Sequence, residues 1–523
     1  MSQRENSPGP ATSPAVTRRT VLQGAVLGAA SLAASACTSS TPPSRPRAAS
    51  PSPSPSPPAA QSSRSTASSS HGPTTADWRS LAHSIEGDVV QPPDGDFPSV
   101  SRLFNTRFDG VVPVAVVEAA SADDVSAAVA FAQRFALRSR PKAGGHSYVG
   151  ASTVAGGLVI DVGRLASVHY DAASAVATVG AGARLYPVHA ALDRRSRTIP
   201  TGTCPTVGAA GLTLGGGIGV ASRESGLTCD AVVGLTMVTA DGRILTVDDQ
   251  RETDLFWACR GGGGGNFGIA TSFRYATSPA GPVGFFRLGF PWSTASTVIR
   301  GWAARVRTMD RTAWANLHLN ASSEGTAAVE VFGTCFAGEE EAEATAMEAA
   351  VGANATDVST FSKSFLDAVS YLGGGTTSAR QAWAAGSDVL AAMPPALATA
   401  LSGFVADRAA ERSSVAAILD PLTGRVGDVP VEATAFPWRG ALCDVQWYIG
   451  LPSSPGKGDV QQAYSSIAQA HRAVATYSQG GYVNYLEPHR AVSSYYGANY
   501  ARLRSIKASV DPTGFFTSPY AIG

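Results

Sequence analysis

Hydrophobic and polar positions along this chain follow two rhythms. Val112 to Ala119 (VPVAVVEA) is an apolar run of the length of a buried strand. The next stretch, SADDVSAAVAFAQRFAL, spaces its apolar residues as a helix, with Ser121 as N-cap and Asp123 and Asp124 where the helix dipole favours acids. RPKA (from Arg140), GGLVIDVGRL and SAVATVGAGA read as further strands, and RLYPVHAAL as a short helix. From about Pro282 to Val474, strand-like runs such as GFFRLGFPW, AAVEVFGTCF and ALCDVQWYIG alternate with helical ones such as EEEAEATAMEAAV. The pattern predicts an α+β protein: a mixed helix and strand region, then an antiparallel sheet backed by helices.

The first 76 residues break this pattern. TRRTVLQGAVLGAASLAASAC pairs Arg18 and Arg19 ahead of an apolar run too short to span a bilayer comfortably. It reads as a twin-arginine export signal, a route that carries folded proteins. Cys37 follows small residues, as at a lipoprotein cleavage site, although Ala34 stands where such sites prefer leucine. A lipid anchor at Cys37 and a soluble secreted product are the two alternatives. Residues 38–76 are rich in Ser and Pro, the composition of an extended linker.

Composition narrows the function classes. Residues 1–76 hold six Lys/Arg and one Asp/Glu of the forty of each in the chain, so the remainder is acidic by five. That balance argues against nucleic acid or an anionic membrane as partner. The cysteines beyond Cys37, at 204, 229, 259, 335 and 443, are too scattered for a disulfide scaffold or a zinc site, and no metal is expected. Their odd number leaves one thiol over.

The candidate chemistry lies in three glycine-rich loops. KAGGHSYVG follows the RPKA strand and sets His146 among residues whose backbone bends freely. The second is TGTCPTVGAAGLTLGGGIGVASRESGL, from Thr201, and the third DLFWACRGGGGGNFGIATSFRY, from Asp254. The third contains a G-x-G-x-x-G at Gly263, Gly265 and Gly268. A nicotinamide-binding reading fails on context, since a strand-like run follows the glycines and no acidic residue occurs from Ile269 to Met309. Loops rich in backbone donors and free of a Walker lysine suit a large anionic cofactor, and flavin dinucleotide fits best.

KAGGHS, GTCPTVG…GLTLGGGIG, DLFWACRGGGGGNFG and the C-terminal YVNYLEPHRAVSSYYGANYARLRSIKASVDPTGFF together resemble the berberine bridge enzyme-like flavoprotein oxidases of the vanillyl-alcohol oxidase superfamily. The resemblance runs from about residue 100 to the C-terminus and is weaker in the middle third. It implies a two-part PCMH-type FAD-binding domain (77–281), a substrate-binding domain (282–474) and a C-terminal segment (475–523) that returns to the FAD domain. It also implies FAD bonded twice, through His146 to carbon 8α and through Cys204 to carbon 6 of the ring, which accounts for the odd thiol. Gly144, Gly145, Ser147, Thr203, Thr206, Val207, Gly208, Gly211, Gly215, Gly216, Gly219, Gly268, Ile269 and Asn484 are the motif positions expected to line the cofactor.

The same resemblance makes Tyr485 the catalytic base with Tyr482 as support, and directs Gln446 at the substrate. Were YVNYLE a plain strand, the two tyrosines would face opposite sides and only one would reach the substrate. A tyrosine base needs its pKa of about 10 lowered by donors or positive charge, and Arg439 is a conceivable donor. Val207, three residues after Cys204, is where the family controls oxygen access. Two departures stand out: Leu212 replaces a histidine usual near the pyrimidine edge of the flavin, and Trp438 replaces another in FPWRG. The expected activity is oxidation of an alcohol carbon of a bulky small molecule, such as a sugar, a glycosylated metabolite or a polyketide, with reoxidation by oxygen. The alternatives are a dehydrogenase with another acceptor and a surface flavin carrier. The expected location is outside the cell, free or anchored to the outer face of the membrane.

Overall fold

The computed structural model describes residues 72–523. The expected export signal, the Cys37 site and the Ser/Pro stretch up to residue 71 lie outside them. Helix Thr75–Ser84 opens the described part, and Thr74 caps it: its hydroxyl accepts the Asp77 amide at 3.3 Å while Asp77 accepts the Thr74 amide at 2.9 Å. This helix thus begins inside the stretch read as linker, because a Thr-x-x-Asp cap is composed of the same small polar residues as the linker itself.

The first layer is a four-stranded sheet ordered Asp88–Val90, Ala115–Glu118, Leu158–Asp161 and Ser139–Lys142. Its last three strands run parallel. Helix Ala122–Arg134 starts where its sequence signals, with the Ser121 hydroxyl accepting the Asp124 amide at 3.1 Å. The second layer is a five-stranded antiparallel sheet, Val168–Asp171, Val176–Gly180, Ile269–Ala276, Val232–Val238 and Ile244–Val247. One core built on Val117, Ile160, Val179, Leu235 and Phe273 joins the two layers.

The third layer is an eight-stranded antiparallel sheet. Its order is Asp357–Lys363, Val283–Phe290, Ala327–Phe336, Trp314–Ala321, Val415–Pro421, Cys443–Leu451, Ala382–Leu390 and Ser478–Gly480. Strict alternation gives it two faces. Leu288, Leu317, Val331, Leu419, Val445 and Trp447 pack on helices Ala295–Thr308, Pro395–Ala410 and Lys457–Val474. The opposite face carries Trp383, Asp444, Gln446 and Tyr448. The C-terminal segment supplies the last strand of this sheet before it reaches the glycine-rich loops, so a cut at residue 475 divides a sheet. Pairing with Ser478–Gly480 covers part of the Ala382–Leu390 edge, whose backbone groups would otherwise stay unpaired.

Candidate active site

The GGH loop leaves strand Ser139–Lys142, and its turn depends on Gly145, whose φ is +70°. The amides of Gly144, Gly145, His146, Ser147 and Tyr148 make no hydrogen bond among the described residues. Successive donors left open in one loop form a cradle for an anion such as a dinucleotide diphosphate. Gly211, in helix Ala209–Leu214, leaves a bare stretch of backbone where a Cβ would meet nothing within 4 Å. Other motif glycines serve a different end: a Cβ at Gly144 would stand 2.2 Å from the Gly208 nitrogen, at Gly215 2.0 Å from the Asn484 Oδ1 and at Gly219 1.9 Å from the Thr201 carbonyl. They let the loops touch. Gly216 lies under Phe436 and Tyr482, and Gly268 under Met237. Ile269 opens its strand with a buried side chain.

His146 stacks on Phe104 with ring centroids 3.9 Å apart, and its Nε2 lies 3.0 Å from Thr206 Oγ1. Burial, aided by the nearby Arg184 cation, brings its pKa down to about 3. A neutral imidazole has a lone pair to share. Thr206 occupies one ring nitrogen, and the other has no hydrogen-bond partner among the described residues. Cys204 is exposed, yet the protein around it raises its thiol pKa by desolvation. Among the described residues Cys229, Cys259, Cys335 and Cys443 are buried and free. Thr203 precedes Cys204 directly, and the Val207 amide donates to the Cys204 carbonyl at 3.3 Å. The Ser147 hydroxyl accepts the Ala151 amide and closes the next turn.

The open face of the large sheet lies against these loops. Gln446 donates to the Tyr148 hydroxyl at 2.5 Å, and the Tyr148 ring stacks on Tyr485 at 5.0 Å. Trp383 meets Tyr148 edge-on at 5.6 Å. The tyrosine pair differs from its strand-based expectation. Val483–Tyr485 is a 3₁₀ turn, in which positions three apart eclipse, so Tyr482 and Tyr485 lie in edge contact at 5.0 Å on one side. Tyr482 is buried, its hydroxyl accepting the Gly217 amide and the Asn484 amide nitrogen, each at 2.8 Å. Asn484 also donates to the Leu212 carbonyl at 3.0 Å, tying this turn to the second glycine loop. Tyr485 is half-buried and its hydroxyl has no hydrogen-bond partner among the described residues.

Arg439 does not serve Tyr485. It is buried in a two-pronged pair with Asp230, at 2.8 and 2.7 Å, and also donates to Thr434. Nor is the Tyr485 pKa lowered: desolvation raises it well above the usual value, with Tyr148, Asp420 and Asp444 adding to the effect. Asp420 and Asp444 face each other across adjacent strands. Asn316 donates to Asp420 at 3.3 Å, and burial lifts Asp420 to about 6. Asp444 is fully buried with neither oxygen hydrogen bonded among the described residues, and burial and the Asp420 charge raise its pKa well above the usual carboxylate range. Tyr148 could have been singled out, since it sits two residues after His146. The two aspartates carried no sequence signal, because each is one polar residue in a strand of otherwise ordinary alternation.

Orphan amides in a glycine loop, a neutral imidazole and an exposed thiol on touching loops, and a tyrosine-lined sheet face opposite define a flavin-dependent oxidoreductase site. A family model described as "FAD binding domain" matches residues 113–248, and one described as "Berberine and berberine like" matches 481–523. An uncharacterised FAD-linked oxidoreductase of Bacillus subtilis, YvdP, is 30% identical over 450 residues, 84% of this chain and 98% of its own. Glucooligosaccharide oxidase of Sarocladium strictum is 37% identical over 229 residues, 42% of this chain and 45% of the relative. Among solved structures, xylooligosaccharide oxidase from Myceliophthora thermophila in complex with xylobiose superposes with a TM-score of 0.76 at 26% identity, covering 86% of this chain and 98% of that one. The chain belongs to the berberine bridge enzyme-like FAD-linked oxidoreductases, and it binds FAD on a PCMH-type fold.

Proposed function

We propose that the protein is an exported oxidase whose FAD is bonded to both His146 and Cys204 and which oxidises an alcohol carbon of an oligosaccharide or similarly bulky, hydroxyl-rich molecule. One observation carries the reading: Tyr148, two residues from His146, stacks on Tyr485 and bonds to Gln446, so the attachment loop and the proposed base share one wall. The relatives named for xylo- and glucooligosaccharides support the substrate class. Trp383 and Tyr448, their rings stacked 6.4 Å apart on the same sheet face, offer a sugar flat surfaces.

The flavin, when bound, accepts hydride from the alcohol carbon. The chain's own residues handle the proton. Tyr485 takes it from the substrate hydroxyl, which avoids positive charge on the carbon, and Asp420 is the carboxylate available to receive the proton that Tyr485 gives up. Tyr482 and Asn484 fix the turn, while Gln446 aligns Tyr148 against the base. Val207, three residues from Cys204, is the side chain that would control dioxygen's access, the acceptor an oxidase would use to give hydrogen peroxide.

The test is a proteolytic digest of the purified yellow protein together with peroxide release on cellobiose or xylobiose. Flavin mass on the His146 and Cys204 peptides and peroxide with either sugar are expected. Flavin on neither residue overturns the attachment, and flavin bleaching without peroxide makes the protein a dehydrogenase. Export follows from Arg18 and Arg19: replacing both by Lys abolishes secretion without harming folding, and normal secretion of that variant refutes the route. Palmitate labelling decides whether Cys37 is acylated.

A further inference from the structure

Both proposed attachment loops converge on a single side chain. Arg184 Nη1 donates to the Gly144 carbonyl at 2.6 Å and to the Thr206 carbonyl at 2.8 Å. Gly144 precedes His146 by two residues, and Thr206 follows Cys204 by two. Arg184 makes no salt bridge among the described residues, and desolvation lowers its pKa. Its Nη1 is therefore committed to two carbonyl oxygens, with the Asp161 charge acting on the guanidinium from a distance. The backbone beside it continues the seam: Arg184 bridges Gly208, the Leu185 amide donates to the Val207 carbonyl at 3.0 Å, and the Tyr186 amide donates to the Pro205 carbonyl at 3.1 Å.

We infer that Arg184 is the positioning residue that sets the spacing of the His146 and Cys204 loops, and that attachment of one flavin to both residues depends on it. Two carbonyl dipoles aimed at one nitrogen repel each other once the cation between them is gone. Apart from the His146 Nε2 contact with Thr206 Oγ1, no side chain but Arg184 joins the loops at this seam among the described residues, since Gly144 and Gly208 meet backbone to backbone. His146 has further support from Phe104, whose amide donates to the Gly145 carbonyl at 3.0 Å and whose ring stacks on the imidazole. A drift of about 1 Å is enough to slow a positioned reaction on the order of 100-fold, so the two bonds separate in their demands: His146 stays placed and Cys204 does not.

Each attachment exchanges one protein N–H or S–H bond and one flavin C–H bond for a C–N or C–S bond, with the two hydrogens passed to dioxygen as hydrogen peroxide. The inference rests on the doubly attached flavin proposed above. The experiment is mass analysis of digested wild-type protein, Arg184→Ala and Arg184→Lys, with a melting temperature for each. Wild type bonded at both residues, Arg184→Ala bonded at His146 with the Cys204 bond largely lost at an unchanged melting temperature, and recovery of the double bond in Arg184→Lys are expected. Wild type with flavin on neither residue overturns the attachment reading and this inference with it. A doubly bonded wild type with an equally doubly bonded Arg184→Ala overturns this inference alone. Should Arg184→Ala be recovered unfolded, Arg184→Gln, which keeps a donor but no charge, is scored by the same two outcomes.

Discussion

The two faces of the large sheet treat polar groups in opposite ways. On the helix-covered face, Asp388 is surrounded: Trp447 Nε1 donates to it at 2.8 Å, Ser478 at 2.6 Å, and His471 Nδ1 lies 2.6 Å away. His471 Nε2 reaches Glu487 at 2.7 Å, and Arg490 donates to the same carboxylate at 2.9 Å. On the loop-facing side, among the described residues, Asp444 has no partner for either oxygen, and Trp314 Nε1, Asn316 Oδ1, His318 Nδ1 and Trp383 Nε1 are also unpaired. Leaving a buried polar group unmet costs about 1–3 kcal/mol. A face that carries several is shaped for something other than stability, whereas the paired cluster holds the C-terminal segment to the sheet.

The largest effect that would sharpen this contrast is on the open face. Tyr485→Phe slows flavin reduction in stopped flow by about 100- to 10,000-fold while the melting temperature holds. Reduction at the wild-type rate moves the base to another residue, with Tyr482 next in line. On the covered face, Trp447→Ala costs about 3–5 kcal/mol in denaturant unfolding and leaves the reduction rate per folded molecule unchanged; a small loss would break the division. Asp444→Leu replaces an unmet carboxyl with hydrocarbon and should raise stability by about 1–3 kcal/mol while slowing turnover, a trade found where active sites hold unfavourable groups. If it destabilises, Asp444 has a partner in the folded protein after all.

The paired cluster also makes a pH prediction. Desolvation pulls the His471 pKa down, but its bonds to Asp388 and Glu487 outweigh that and raise it from 6.5 to about 9. A raised histidine stabilises fully below its unfolded pKa and loses that contribution as pH climbs through the folded one. Wild type should therefore lose on the order of 1–3 kcal/mol relative to His471→Gln between neutral and strongly alkaline pH; parallel stability curves for the two would show the imidazolium adds nothing. The smallest change is Val207→Ile, one methylene beside the attachment loop, which slows reoxidation by oxygen and spares flavin reduction. Equal reoxidation rates in the two proteins would remove Val207 from the gate.

Much of this was legible in the chain. The strands at Ala115–Glu118 and Ile269–Ala276 and the helix from Ala122 follow from apolar spacing and a Ser cap, all local signals. His146 and Cys204 stand out because glycines crowd them within a few residues. Asp420, Asp444 and Trp383 do not, since strands far apart in sequence bring them to one face, and no window of residues contains that fact. Arg439 shows the converse: as the arginine of FPWRG it was a conceivable donor to the tyrosine, but Asp230, some two hundred residues earlier, holds it elsewhere.

By itself the sequence determined the family, the FAD cofactor and the two loops that carry its candidate attachment residues, because those depend on short-range backbone freedom and on motif order. Only the tertiary structure decided which tyrosine is left with an unbonded hydroxyl, that a 3₁₀ turn places Tyr482 and Tyr485 on one side, and that Arg184 joins two loops sixty residues apart. Those outcomes turn on which hydrogen-bonding groups are met by others. Pairing of that kind is a property of the packed chain, set by the strands and loops that close around each group.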